Sequence, residues 1–325
     1  MTEQQFMLAA QSLSTPSLDW TMRALSAAAT TPLYVLVASL LFWVIDRRRG
    51  GALGLLLVVS TWVNSLTKVY VAEARPTFEG LRRISLVEPA DYSFPSGHSQ
   101  AAAAFTVFVA IWLWSRGQRR WAVWLALFPL AVGFSRIYLG MHFPRDVVAG
   151  FIVGGALGLL FSGAAFTYLL AGAGRGLFGL GSLVILGLFL AWWAVGGTEL
   201  VLAGVWVGFV IGQRWFVPAA PPSGMPAVAS DRNRLSPALA LAIWAGGVVL
   251  VGLMWVAVSW LPPVFAPVTP GIALVRRAWT FSGPQYGSVD PLNLMYFVRG
   301  LVVGLAATSY PTIAERLIRN REGRP

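Results

Sequence analysis

Ser135-Arg136-Ile137-Tyr138-Leu139-Gly140-Met141-His142-Phe143-Pro144-Arg145-Asp146 opens directly onto an apolar run that extends to Ala171. Proline suits the first position of a helix, where its missing N–H costs nothing, so Pro144 predicts a helix start there. His142 then precedes the helix and Asp146 lies in its first turn. Gly150, Gly154, Gly158 and Ser162 recur every fourth residue and form a narrow stripe of small side chains against which a second helix can lie closely. Asp146 sits one turn ahead on the same stripe, so its carboxylate is expected to point into a bundle and not at lipid.

The rest of the chain agrees with a helix bundle in a membrane. Of its 325 residues, 57% are hydrophobic and 11% charged, against about 25% charged in a soluble domain; the mean hydropathy is +0.68. Nearly charge-free stretches of spanning length fall at 30–46, 51–72, 97–115, 120–138, 146–171, 177–197, 200–213, 236–260 and 291–314. The expected fold is therefore all-α, a polytopic transmembrane bundle of about nine spans. Residues 1–30 lack a basic leader and a cleavage site, and 17–30 read as an interfacial helix leading into the first span. Residues 31–171 form a core carrying all the candidate chemistry, and 172–325 an additional C-terminal membrane region. No internal repeat stands out.

The net charge of +11 could suggest nucleic acid, but the basic residues lie in short loops between spans, where they orient a membrane protein. If Arg47, Arg48 and Arg49 are cytoplasmic, alternation puts Arg116, Arg119, Arg120, Arg175, Arg214, Arg232, Arg234, Arg316, Arg319, Arg321 and Arg324 on that side too. These are more than half of the 24 Lys and Arg. The expected location is the bacterial cytoplasmic membrane, with the ends of spans two, three and five that matter here on its external face. With no cysteine in the chain there is no disulfide and no thiolate metal site.

Two more strings share that face: Lys68 with Arg75-Pro76, and Pro95-Ser96-Gly97-His98. The chain has only two histidines, and these strings with the first hold both. Ser93 to His98 reads as a helix start with proline near its first position, where unpaired N–H groups and the positive dipole end make an anion site. Gly97 has no side chain to keep an oxygen away from the backbone. Lys68, Arg75 and Arg136 add three fixed positive charges, suited with Ser96 to a tetrahedral dianion. A neutral imidazole can attack phosphorus while a carboxylate fixes its tautomer; His142 with Asp146 is such a pair. His98 remains to protonate the leaving oxygen. Singly, Lys68 reads as a snorkelling lysine, the arginines as interface anchors and Asp146 as a helix N-terminal acid. Such separate readings do not explain why all six groups meet at one level of the membrane.

In order, the three strings resemble the signatures of the type 2 phosphatidic acid phosphatase (PAP2) superfamily: Lys-x6-Arg-Pro at 68–76, Pro-Ser-Gly-His at 95–98 and Ser-Arg-x5-His-x3-Asp at 135–146. Every specified position agrees, and the resemblance covers residues 15 to about 171. It implies a membrane phosphatase that works without metal or cofactor through a phosphohistidine. His142 would be the nucleophile, Asp146 its orienting acid and His98 the acid and base. Lys68, Arg75, Ser96, Gly97 and Arg136 would hold the phosphoryl group. The chain departs from the family's common six spans by its C-terminal region.

A site at this depth meets lipid head groups, so the expected partner is a lipid phosphate: isoprenyl diphosphate, phosphatidate, phosphatidylglycerol phosphate or sphingoid phosphate. Arg82, Arg83 and Glu88 are candidate contacts to the rest of the head group. In the C-terminal region Arg299 should face an acidic partner or a cavity, with Glu199 and Asp290 as candidate partners, because an unpaired charge near the bilayer centre costs about 2.5–3.5 kcal/mol. The segment from Pro262 to Pro284, with Arg276 and Arg277, either covers the catalytic mouth or only joins spans. Two alternatives stand beside the phosphatase: a transferase passing the phosphoryl or head group to an acceptor other than water, and a transporter or scaffold, for which two histidines in one site would have no use.

Overall fold

A computed structural model describes residues 1–84, 91–163, 237–260 and 300–307, together with positions 204, 205, 207, 208, 211 and 310. The described elements are helical: α1 (Glu3–Ser12), α2 (Pro16–Ala28), α3 (Thr31–Leu40) continuing into a π-helical turn (Leu41–Ile45), α4 (Arg47–Val71), α5 (Gly97–Ser115), α6 (Arg119–Leu125), α7 (Leu127–Tyr138), α8 (Pro144–Ser162) and α9 (Pro237–Trp260). Residues 300–307 are also helical.

The chain divides into two compact units, one made of residues 1–38 with 51–168 and the other of 39–50 with 169–325. Within the second, the Trp43 indole N–H donates to the Ala307 carbonyl at 2.7 Å and that of Trp244 to Ser39 Oγ at 3.2 Å, so these ring donors are satisfied in apolar surroundings.

Helix boundaries in the first unit follow local chemistry. Thr2 and Thr15 accept backbone N–H groups at the starts of α1 and α2. Ala72 ends α4 by adopting a left-handed φ of +52° while its N–H donates to the Lys68 carbonyl at 2.8 Å. The expected span 120–138 is broken into α6 and α7 at Ala126. Pro129 explains the break, because its ring crowds the carbonyl four residues back, that of Leu125. Pro144 opens α8 as predicted from its position. Pro95, by contrast, lies outside its helix: α5 begins at Gly97, with Ser96 as the flanking residue.

Among the described residues three helices are long and apolar enough to cross a membrane, Arg49–Val71, Arg119–Tyr138 taken across the break at Ala126, and Pro144–Ser162. A fourth span is possible if Pro16–Ala28 and Thr31–Ile45, bent by 49° to each other, count as one. Of the nine expected spans, the described residues thus account for three or four. Helix α5 has spanning length but falls short in apolarity because its first turn is Gly-His-Ser-Gln. The expected span 177–197, most of 200–213 and much of 291–314 lie outside the described residues. So do Glu88, Glu199, Asp290, Arg276, Arg277 and Arg299. Val148, Ile152 and Leu159 on α8 and Trp124, Leu127 and Leu130 around the α6–α7 break are exposed, as lipid-facing positions would be.

Candidate active site

The site is built on the contact between α5 and α8. A methyl added at Gly150 would come within 2.7 Å of the Ser96 carbonyl oxygen. At Gly154 it would meet that of Gln100 at 2.1 Å, and at Gly158 that of Ala104 at 2.8 Å. The partner residue advances in step with the glycine, so the two helices are parallel and in register. Close approach along the small-residue stripe, expected from sequence, is what packs them. Their N-termini therefore lie side by side, tied by the Ser96 N–H donating to the Asp146 carbonyl at 3.0 Å. His98, in the first turn of α5, and His142, just ahead of α8, come to one end of the bundle.

His142 is 2% exposed and Asp146 is fully buried, as the stripe predicted. His142 Nδ1 lies 3.5 Å from Asp146 Oδ2, longer than a formed hydrogen bond. That oxygen is already engaged, accepting the Ser93 hydroxyl at 2.5 Å and the Phe143 N–H at 2.9 Å. Ser93 Oγ is also 3.4 Å from His142 Nδ1, so Ser93 sits between ring and acid. Asp146 Oδ1 has no partner among the described residues. On the other side of the ring, Nε2 faces Arg75 Nη1 at 3.2 Å. Burial, and then the charges of Arg136, Arg75, Lys68 and His98, hold the His142 pKa well below its ordinary value. At neutral pH the ring is uncharged, and a cation facing Nε2 places its proton on Nδ1.

The cations converge on the same end. Lys68, in the last turn of α4, has its ammonium on Asp91 Oδ2 at 2.7 Å and on the Tyr92 carbonyl at 2.5 Å. Arg75 donates from Nε to the Asp91 carbonyl at 2.9 Å, from Nη2 to Asp91 Oδ1 at 2.5 Å and from Nη1 to the Met141 carbonyl at 2.9 Å. Burial pushes the Asp91 carboxyl up, but the charges and hydrogen bonds of Lys68 and Arg75 outweigh it and leave its pKa below the usual carboxylate value. Arg136, at the end of α7, is buried with Nη1 donating to Ser26 Oγ at 2.5 Å, while its Nε has no partner among the described residues.

Gly97 is constrained on a second side. A methyl there would come within 2.9 Å of Asn64 Oδ1. Asn64 in turn donates to the Pro95 carbonyl at 3.2 Å and to Gln100 Oε1 at 3.0 Å, and Gln100 donates to the Ser60 carbonyl at 2.7 Å. This buried ladder fixes the Pro95-Ser96-Gly97 turn from below.

The N-terminal helices cover the site's flank. Gln11 donates to the carbonyls of Arg82 and Tyr138 at 2.7 and 2.8 Å and accepts the Arg82 N–H at 3.0 Å. Ala10, Met22, Ile84, Tyr138, Leu139 and Met141 form one apolar cluster there. Gly140 has φ +72°, and a methyl on it would meet the Arg82 carbonyl at 2.6 Å. The side chains of Arg82 and Arg83, expected near a head group, are exposed. Ser93, Asp91, Ser26 and Asn64 were not singled out from sequence. Ser93 and Asp91 stand within five residues of Ser96, the only signal for them.

Residues 49–170 match the sequence model of the PAP2 superfamily. Phosphatidylglycerophosphatase B of Bacillus subtilis is 33% identical over 140 residues, 41% of this chain and 66% of that one. Undecaprenyl-diphosphatase of Sulfolobus acidocaldarius is 30% identical over 129 residues, 38% and 58% of the two chains. The chain thus spans less than two thirds of the length of either relative. Among solved structures, the transmembrane PAP2 type phosphatidylglycerolphosphate phosphatase of Bacillus subtilis aligns at 27% identity with a TM-score of 0.42, over 49% of this chain and 82% of that one.

Proposed function

We propose that this chain is an integral membrane phosphatase of the PAP2 superfamily, whose sequence model residues 49–170 match, and that it hydrolyses the phosphomonoester or diphosphate of a lipid with its catalytic layer on the external face of a bacterial cytoplasmic membrane. The two relatives are named for phosphatidylglycerophosphate and undecaprenyl diphosphate, which share a terminal phosphoryl group on a lipid. The observation that carries this reading is the two-sided imidazole of His142. Its Nε2 lies 3.2 Å from Arg75 Nη1, and its Nδ1 faces Ser93 and Asp146.

In this mechanism His142 Nε2 attacks phosphorus and the P–N bond forms as the P–O bond to the leaving group breaks. The departing oxygen takes a proton from His98, whose charged form the incoming phosphoryl dianion stabilises against burial and the neighbouring cations. Asp146 stabilises the charge that develops on the His142 ring. Lys68, Arg75, Ser96, Arg136 and the first-turn amides of α5 at Gly97 and His98, which have no intrahelical acceptor, hold the phosphoryl oxygens as their charge rises. Water then gives a proton to neutral His98 and attacks phosphorus; the P–N bond breaks, and inorganic phosphate and neutral His142 are restored.

The test is a panel of isoprenyl diphosphate, phosphatidate, phosphatidylglycerol phosphate and sphingoid phosphate in detergent, with phosphate release measured and water the sole acceptor. At least one should be hydrolysed. Turnover of none, or only with an added second acceptor, would overturn the reading.

A further inference from the structure

Asp91 is a carboxylate seated on two cations of the candidate phosphate site. Its Oδ2 takes a hydrogen bond from Lys68 at 2.7 Å and its Oδ1 one from Arg75 at 2.5 Å. The cationic side chains are 7% and 8% exposed, whereas that of Asp91 is 47% exposed. The anion therefore approaches from the open side and the cations wait beneath it. A phosphoryl group uses the same pair of oxygens toward Lys and Arg as a carboxylate does. A tetrahedral anion placed for attack by His142 Nε2 meets Arg75, whose Nη1 is 3.2 Å from that nitrogen while Nη2 is held by Asp91. The backbone that follows is anchored, with the Asp91 carbonyl on Arg75 Nε at 2.9 Å and the Ser93 N–H on the Glu73 carbonyl at 2.8 Å. The carboxylate can leave by side-chain rotation without the turn moving.

We propose that Asp91 is a built-in competing anion that sets the charge a ligand must carry to enter the site: a dianionic phosphoryl group displaces it from Lys68 and Arg75, and a monoanionic phosphodiester does not. The inference rests on the phosphatase reading and adds a determinant of specificity to it. Exchanging one single negative charge for another gains little Coulomb energy, whereas a second charge on the newcomer interacts with all three cations. The discrimination has an evident use. A site at head-group level is surrounded by phosphodiester lipids at concentrations far above any phosphomonoester, and rejecting them requires an element that works against the wrong ligand.

The experiment uses the full chain in detergent and Asp91→Asn, which keeps the shape and removes the charge. Binding of inorganic phosphate and of orthovanadate, measured by calorimetry, is expected to tighten by about tenfold, the effect of losing one charge-assisted competitor. Phosphatidylglycerol micelles, expected not to inhibit wild-type turnover, should inhibit the variant. Anion binding that is unchanged or weaker in a variant with wild-type thermal stability would overturn the proposal and make Asp91 a structural clamp. A measurement on the wild type alone guards against a variant that does not fold. A dianionic lipid phosphonate should inhibit strongly and its monoanionic methyl ester at least about tenfold less; equal inhibition would overturn the proposal. If the wild type neither binds vanadate nor releases phosphate, the phosphatase reading falls and this one with it. Normal wild-type turnover with indifferent Asp91→Asn defeats this inference alone.

Discussion

Asp146 has one oxygen shared between a serine hydroxyl and a backbone N–H and another with no partner among the described residues. Its hold on His142 therefore runs partly through Ser93. Removing the Ser93 hydroxyl leaves the acid and the ring without the group between them. Ser93→Ala is expected to lower kcat by about ten- to a hundredfold, the worth of a hydrogen bond to a charged group, with KM changed far less, as steady-state kinetics will show. His142→Ala removes the proposed nucleophile, and phosphate release should fall by at least about 10³-fold; substantial residual turnover would exclude it from that role. The pH profile follows from the depressed His142 pKa. In the proposed mechanism the attacking form is the neutral ring, and a pKa held below the ordinary imidazole value of 6.5 keeps it neutral to lower pH. The acid limb due to His142 should therefore lie below pH 6.5, and a limb above that value disappearing in His142 variants would contradict the shift.

Between elements, the contact of α5 with α8 is a backbone-to-backbone approach, so its tolerance for added atoms is a direct measure of it. Gly154→Ala puts a methyl 2.1 Å from the Gln100 carbonyl oxygen, whereas at the adjacent Gly155 nothing lies within 4 Å. The first substitution should cost about 1–3 kcal/mol by overpacking. The second should be neutral or stabilising by up to about 1 kcal/mol, because alanine is the better helix former. Thermal melts in detergent distinguish the two, and equal effects would mean the helices do not meet along the stripe. The other element-level contact is α2 on α7, where Ser26 holds Arg136 Nη1 at 2.5 Å. Ser26→Ala should reduce kcat/KM by about fivefold, the worth of one hydrogen bond, and Ser26→Thr should restore it. Ser26 lies outside the residues that match the family, so the N-terminal helices contribute to the site beyond the matched core.

For the molecule as a whole, the absence of cysteine from the chain makes its sidedness measurable. Glu79 follows α4 at the site's end of the bundle, and Gln118 follows α5 at the opposite end; both are exposed. In intact cells a membrane-impermeant thiol reagent should label Glu79→Cys and spare Gln118→Cys; the reverse pattern would place the site on the cytoplasmic face. The chain-wide surplus of Lys and Arg is the physical basis of the expectation, since basic loops are retained in the cytoplasm.

What the sequence determined by itself was whatever a few neighbouring residues dictate: the helix start at Pro144, the small-residue stripe of α8, the burial of Asp146, and the three strings that carry both histidines and three cations. Each follows from backbone geometry or side-chain spacing within about two helical turns. The break at Ala126 is equally local, with Pro129 as its cause, but in the sequence 120–138 reads as one unbroken span. Only the tertiary structure decided that Ser93 stands between His142 and Asp146, that Asp91 rests on Lys68 and Arg75, and that Ser26 and Asn64 support Arg136 and Gly97. Serine, aspartate and asparagine are common in any loop or helix, and nothing in their spacing marks these. Their roles come from hydrogen bonds that operate over about 3 Å between residues far apart along the chain, and a distance of that kind exists only once the helices have packed.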